Sequence, residues 1–320
     1  MYKYTLFLSL LILGVALSAS SSSSSSSSST CRAITFSGAG DRGAWETGVV
    51  IGIMNVRQPE DYRWQFVTGI SAGSINAVAM AMFSVGDEPS ARDFLQNQWL
   101  TLTREDVYVN WAGGPIDGIL FQTGLFDTTP LVHLLNRLVN TTQLANSDRG
   151  FLIGASNIDT GVFDRFYKND PNITLGVVAS SSVPGIFPMI EKDGQHYCDG
   201  GLTYDTPISD TVRLCYETGA TEVIVDVILE GALEPMANVS GMHTIDVLLR
   251  EGSILARNTH LKDIENVYMA FPEAKLNIYT PNTEKLPGYV LGFQYSAEMI
   301  KIGIVDGQNP PSQNNDSSNF

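Results

Sequence analysis

Gly69-Ile70-Ser71-Ala72-Gly73 is the stretch whose reading decides the fold. Before it, Arg63-Trp64-Gln65-Phe66-Val67-Thr68 is rich in aromatic and β-branched side chains and reads as a buried strand. After it, Ser74-Ile75-Asn76-Ala77-Val78-Ala79-Met80-Ala81-Met82-Phe83 is small and apolar, as suits a buried helix. Gly-x-Ser-x-Gly therefore falls at a strand-to-helix turn, where a nucleophile elbow lifts a serine hydroxyl above a sheet. Gly69 and Gly73 permit the sharp turn, and Ser71 comes to a helix N-terminus, where the dipole and free N–H groups favour developing negative charge. A five-residue pattern recurs by chance, so its weight comes from this context and from what stands elsewhere in the chain.

Upstream, Arg32-Ala33-Ile34-Thr35-Phe36-Ser37 reads as a first strand, and Gly38-Ala39-Gly40-Asp41-Arg42-Gly43 as a tight loop opening a helix with Trp45, Val49, Val50, Ile53 and Met54. Strand, Gly-rich loop, helix, strand, helix points to an α/β fold with a mainly parallel central sheet covered by helices on both faces. Residues 87–146 read as mostly helical, broken near residues 108–115 by glycine and proline, with Pro130 opening a helix that Thr128 or Thr129 can cap. Strands return at 151–157 and 161–167, a short helix at 173–182, and a brief strand Gln195-His196-Tyr197-Cys198 leads into Asp199-Gly200-Gly201. A helix at 208–217, a strand at 223–229, a helical run from Ile245 to Thr259 and a last strand at 275–280 complete the pattern. Acyl transfer needs a nucleophile, a base and donors aimed at the oxyanion, and Ser71, Asp199 and the 38–43 loop supply candidates for all three.

With these motifs in place, the chain resembles the patatin-like phospholipases. That family carries a Gly-Gly-Gly-x-Arg-Gly oxyanion loop, then Gly-x-Ser-x-Gly about thirty residues on, then a distant Asp-Gly-Gly or Asp-Gly-Ala. The matching positions here are Gly38 to Gly43, Gly69 to Gly73 and Asp199-Gly200-Gly201. Ser180-Ser181-Ser182-Val183-Pro184-Gly185-Ile186-Phe187-Pro188 and Gly124-Leu125-Phe126-Asp127 also resemble stretches that accompany the motifs, so the likeness runs over about residues 33–206. It implies a three-layer αβα fold, a Ser/Asp dyad without histidine, Ser71 as nucleophile and Asp199 as base. It further implies Gly38, Ala39 and Gly40 as oxyanion donors, Arg42 as a brace of the loop, and no metal or organic cofactor. Ala39 departs from the pattern, since it stands where the family has its middle glycine, and its Cβ would penalise a positive φ.

Other readings draw on the same residues. Gly38-x-Gly40-x-x-Gly43 after a strand is also the dinucleotide fingerprint, which expects an acidic residue closing the second strand; here that strand runs into Gly69-Ile70-Ser71. A lipid-binding or storage module of the same fold is the non-catalytic alternative, with Ala39 as its ground. A three-residue hydrolase would use a histidine after Asp199. Of the two available, His260 falls inside a helical run, whereas such a histidine sits on a loop after a strand; His243 is the other, and His133 and His196 read as surface or packing residues.

Composition sets the wider frame. At 320 residues and 43% hydrophobic content the chain can bury a large core. A formal charge of −15 argues against nucleic acid and against electrostatic docking to anionic membranes, leaving neutral or zwitterionic lipid at a membrane or micelle interface as the expected partner. Three cysteines, Cys31, Cys198 and Cys215, make no disulfide framework and leave at least one unpaired. Lys3, the apolar run 5–17 and the small residues after it read as a secretory signal over residues 1–18, since 13 residues of helix span only about 20 Å of a ~30 Å hydrocarbon core. Residues 19–30 then form a Ser-rich linker, 31–305 the folded domain and 306–320 a polar tail. Asn-x-Ser/Thr sequons at Asn140, Asn172, Asn238 and Asn315 fit a glycosylating secretory route to a secreted or lumenal protein.

Overall fold

The computed structural model describes residues 29–231, 241–282, 286–287 and 292–309, so the expected signal segment, most of the linker, and the sequons at Asn238 and Asn315 lie outside the described residues. In chain order the elements are β1 (Thr30–Phe36), α1 (Gly43–Val56), β2 (Phe66–Gly69), α2 (Ala72–Ala81), α3 (Glu88–Thr101), α4 (Arg104–Val107), α5 (Gly114–Phe121), α6 (Thr129–Leu138), α7 (Thr141–Asn146), β3 (Gly150–Asn157), β4 (Phe163–Tyr167), α8 (Ile173–Ser180), β5 (Ile190–Lys192), β6 (Gln195–Cys198), α9 (Ile208–Glu217), β7 (Glu222–Ile228), α10 (Thr244–Ala270), β8 (Lys275–Tyr279) and α11 (Ser296–Gln308). The strands form one sheet in the order β5-β6-β3-β2-β1-β7-β8, with β4 also paired to β3. From β3 to β8 neighbours run parallel, while β4, β5 and β6 join antiparallel.

Alternation along the strands builds two cores. On β1, Ile34 and Phe36 enter the larger core with α1, α2, α3 and α8, whereas Cys31 and Ala33 enter a second one with Ile208, Val212 and Cys215 of α9 and Ile264 and Val267 of α10. Successive strand residues face opposite sides, so a sheet apolar on both faces must be covered on both. The result is the expected mainly parallel sheet between helical layers, and it leaves the C-terminal ends of β1 and β2 open to carry loops.

Several local expectations need correction. Thr30 already belongs to β1, paired with Glu222, so the domain starts inside the expected linker. Residues 306–308 continue α11 and are no tail: Asp306 is buried and accepts hydrogen bonds from Trp45 Nε1 at 2.8 Å and Asn282 Nδ2 at 2.9 Å. The helix seats so closely on α1 that a Cβ on Gly303 would lie 2.1 Å from the Trp45 carbonyl oxygen. Neither Thr128 nor Thr129 caps α6 with its side chain; Thr129 instead bonds Asp127. Strand β5 was not expected at all. It pairs with β6 through a turn at Asp193 (φ 53°) and Gly194 (φ 76°), the left-handed pair that an Asp-Gly hairpin turn requires.

Cys31 of β1 and Cys215 of α9 form a disulfide with Cα atoms 5.6 Å apart, and Cys198 remains free and buried. The bond closes a loop of 184 residues across the smaller core. Cys31→Ser/Cys215→Ser is expected to lower stability by ~2–5 kcal/mol, read as a fall in melting temperature that a reductant reproduces in the wild type but not in the variant.

Candidate active site

Ser71 lies between β2 and α2 with φ 54° and ψ −128°, a left-handed conformation costly for a residue with a side chain. The turn is thus strained at the serine itself, not at its glycines. Gly69 and Gly73 serve by closeness instead: a Cβ on Gly69 would lie 2.2 Å from the Gly73 carbonyl oxygen, and one on Gly73 2.4 Å from that of Ser37. The end of α8 holds the elbow in place. Ser71 N–H donates to Ser180 Oγ at 3.0 Å, and the Ser71 carbonyl accepts from Ser74 Oγ at 2.6 Å and Ser181 Oγ at 3.2 Å. The sequence pointed to the 180–188 stretch as a companion of the motifs but not to Ser180 and Ser181 as the anchors of Ser71.

Asp199 follows β6, its N–H donating to the Ser182 carbonyl at 2.8 Å and its own carbonyl accepting from Ser156 Oγ at 2.9 Å. Carboxyl oxygen Oδ1 accepts from Gly201 N–H at 2.8 Å. Oδ2 is buried without a hydrogen bond, although the Ser71 hydroxyl stands near enough to favour the charged form. Such loose contacts are common in unliganded hydrolases. Burial pushes the Asp199 carboxyl up to about 7, opposed by Ser71 and Gly201 and assisted by the negative charge of Asp205. A carboxylate that ionises near neutrality and has one free lone-pair face is equipped to take a proton. Gly200 packs under Ile70, so the turn after β6 and the elbow are in direct contact.

The 38–43 loop closes the site, with one correction. Gly38 is not an available oxyanion donor, because its N–H is committed to the Asp205 carbonyl at 3.0 Å. Its lack of a side chain matters instead, since a Cβ there would lie 2.4 Å from Asp205 Oδ1 and 3.5 Å from Ser71 Cβ. Among the described residues the N–H groups of Ala39 and Gly40 carry no hydrogen bond. Ala39 has φ −138°, so its Cβ is unstrained, and the residue that needs a glycine is Gly40, at φ 55°. Ala39→Gly is therefore expected to leave turnover within about twofold of wild type in a soluble-ester assay; a loss of tenfold or more would show that the methyl, buried against the core, sets the loop.

Arg42 forms an ion pair with Glu230, its guanidinium 2.5 Å from Oε2. Asp41 anchors it from behind, Oδ2 accepting from Gly292 N–H at 2.8 Å, and burial pushes its carboxyl up to about 6. Gly43 opens α1 beneath Trp99, whose Nε1 donates to Asn76 Oδ1 at 2.8 Å. Asn76 in turn donates to Glu46 at 2.9 Å, and burial raises the Glu46 carboxyl well above the usual range.

From Ser71 and Gly40 a cavity of about 330 Å³ runs inward between α2, α3 and α6, walled by Ile75, Ala79, Leu95, Leu131, Leu135 and Phe187. The lining surface is mainly apolar, with Asn76, Gln98, Thr101, Asp106, Arg137 and Ser181 as its polar members beside Ser71, and so suits a hydrocarbon chain better than a sugar or phosphate. None of the four histidines takes a place between Ser71 and Asp199: His196 bonds Asp159, His260 bonds Asp205, and His133 and His243 are exposed. No group of three or more His, Cys, Asp or Glu among the described residues is placed to hold a metal ion.

A solved structure of VipD from Legionella pneumophila is similar over 87% of this chain, at 10% sequence identity and a TM-score of 0.39; the chain spans 66% of the length of that one, and the likeness is too slight to support any argument. The sequence itself is more telling, for residues 34–212 match the family described as patatin-like phospholipase, a span holding the 38–43 loop, Ser71 and Asp199. That match covers more than half of the 320 residues, and the chain belongs to the patatin-like phospholipase family.

Proposed function

We propose that the protein is a serine hydrolase of lipid acyl esters, working with a Ser71/Asp199 dyad in a secretory compartment or outside the cell. The observation that carries the reading is the strained Ser71 at the mouth of an apolar cavity, facing a buried carboxyl that ionises near pH 7. The acyl chain fills the cavity and brings its carbonyl carbon to Ser71 Oγ. As Oγ bonds that carbon, its proton passes to Asp199 Oδ2, and the carbonyl oxygen gains a negative charge met by the N–H groups of Ala39 and Gly40 and the N-terminus of α2. The C–O bond to the alcohol then breaks and Asp199 returns the proton to the leaving oxygen. Water repeats the sequence on the acyl enzyme, giving a free acid and restoring Ser71. An oxidising compartment agrees with the Cys31–Cys215 bond, and Asn140 and Asn172 are both exposed and open to glycan.

The lipid interface has its own element in this account. Helix α5 exposes Ile116, Ile119, Leu120 and Phe121, each between 64% and 76%. Asp117 is the one charge between residues 111 and 126, in a chain of net charge −15, so the helix suits an uncharged or zwitterionic surface. The chain that follows it runs to the cavity wall. Gly124 bridges to Gly185, and Phe126 N–H donates to the Ile186 carbonyl at 3.0 Å, next to the Phe187 wall. Ile119→Ser/Phe121→Ser is expected to cut hydrolysis of phosphatidylcholine vesicles by about tenfold or more, since inserting one large apolar side chain contributes up to ~1.5–3 kcal/mol, while a soluble short-chain ester is cleaved as before. Equal losses on both substrates would contradict the assignment.

The direct test of the proposal is product analysis on mixed lipid vesicles, which should show free fatty acid released by the wild type and none by Ser71→Ala. Release unaffected by the substitution would refute it.

A further inference from the structure

Asp205, six residues beyond Asp199, is buried and touches three segments at once. Its carbonyl accepts the Gly38 N–H at 3.0 Å, fixing the start of the oxyanion loop. Its Oδ1 occupies the space in which a Cβ on Gly38 or on Gly201 would lie, at 2.4 Å and 2.5 Å, so the carboxyl is wedged between that loop and the Asp199 turn. Its Oδ2 meets His260 Nε2 at 2.7 Å, and His260, on α10, is only 3% exposed. A carboxylate placed there without a partner would be expensive, and the imidazole supplies one.

We propose that Asp205 is a positioning residue, held by His260, whose carboxylate locks the oxyanion loop to the turn carrying the base and places a second negative charge beside Asp199. The inference rests on the Ser71/Asp199 reading. It gives His260 a part in the site without making it the proton acceptor, because the imidazole Nε2 is engaged by Asp205. It also explains why two residues 55 positions apart, on a loop and on a helix of the opposite layer, share one buried hydrogen bond.

The titratable groups that bear on the pair come from distinct elements: Asp199 from the turn after β6, and Glu46 from α1, whose own carboxyl is raised in part by Asp205. Because a like charge favours the protonated form of its neighbour, loss of the Asp205 charge makes Asp199 easier to ionise and moves the acid limb of catalysis to lower pH. A part confined to packing would not do this.

The experiment compares wild type, Asp205→Asn, His260→Gln and His260→Phe by three readouts: the pH profile of kcat/KM on a soluble ester, thermal melting, and the ionisation midpoint of Asp199 from infrared carboxyl difference spectra against Asp199→Asn. Asp205→Asn is expected to shift both the acid limb and the Asp199 midpoint downward by roughly half a pH unit or more, and to lower the plateau rate several-fold. His260→Phe should lower the plateau likewise, and His260→Gln, which retains an N–H for Asp205 Oδ2, should restore most of it. Melting temperatures that fall while the midpoint stays fixed would overturn the proposal. If Asp205→Asn does not fold, the histidine pair decides, since equal plateaus for His260→Phe, His260→Gln and wild type contradict it. The infrared midpoint needs no turnover, so a failure of the hydrolase reading, seen as full activity in Ser71→Ala, is distinct from a failure of this one.

Discussion

Replacing Ser71 with alanine is expected to lower lipid and ester hydrolysis by roughly 10⁴- to 10⁶-fold, to the level left by binding and the oxyanion donors alone. The size of the effect follows from the proposed role, in which Oγ is the atom that bonds the acyl carbon. The fold should survive, because the elbow is held through the Ser71 backbone, by Ser180 at its N–H and by Ser74 and Ser181 at its carbonyl. Ser71→Gly sharpens the test. A positive φ of 54° costs a non-glycine residue on the order of 1–3 kcal/mol, so glycine should remove the activity just as fully while raising the melting temperature. A strained residue whose relief stabilises the protein and destroys its activity is one retained for chemistry. A glycine variant less stable than the alanine one would count against the strain argument.

Asp199→Asn should lose nearly as much activity as Ser71→Ala, whereas His133→Gln, His196→Gln and His243→Gln should each stay within a few-fold of wild type. In a three-residue site the aspartate supports an imidazolium, and removal of the histidine is as damaging as removal of the serine. Here the Ser71 hydroxyl stands by the Asp199 carboxyl, and none of the four histidines takes a place between them. The wild-type kcat/KM should accordingly rise with pH through an acid limb near 7. Stability should move the other way. The folded-state ionisation of Asp199 lies above its ordinary 3.8, so its contribution to stability is fully present below about pH 4 and is lost as pH rises through about 7. At about 1.4 kcal/mol per pH unit the loss amounts to a few kcal/mol, and Asp41, raised to about 6, adds to it in the same direction. Asp199→Asn should therefore melt higher than wild type at pH 8 and about level with it at pH 4. A wild type whose melting temperature rises steadily from pH 4 to pH 8, with no gain from the asparagine, would place the carboxyl in water.

The elbow and its two companion motifs were legible because each joins a hydrophobic period to a glycine signal: alternation ending at Phe36 and again at Gly69, then helical spacing from Ala72. What the sequence could not show is which backbone groups tertiary contacts would consume. Gly38 lost its donor to Asp205, a partner far along the chain, and Ala39 escaped strain because the left-handed position fell one residue later, on Gly40. Helix α11 was hidden for a related reason, since it seats on α1 through Gly303 and Gly307 against Gly48 and Gly52 and so shows no broad apolar stripe. Strand β5 is only three residues long, and its one local signal is the Asp193-Gly194 turn. The Asp205–His260 pair has no local signature, for its two members are joined only by the packing of α10 and α9 behind the sheet.

The central claim, that Ser71 is the nucleophile and Asp199 its base, is tested most directly by trapping. Wild-type protein incubated with a fluorophosphonate and digested for peptide mass mapping should carry one adduct, on the peptide containing Ser71. Labelling should rise with pH through about 7, should vanish in Ser71→Ala and should be slowed at least a hundredfold in Asp199→Asn. An adduct on another residue, or labelling of Ser71 that proceeds at the wild-type rate in Asp199→Asn, would contradict the account.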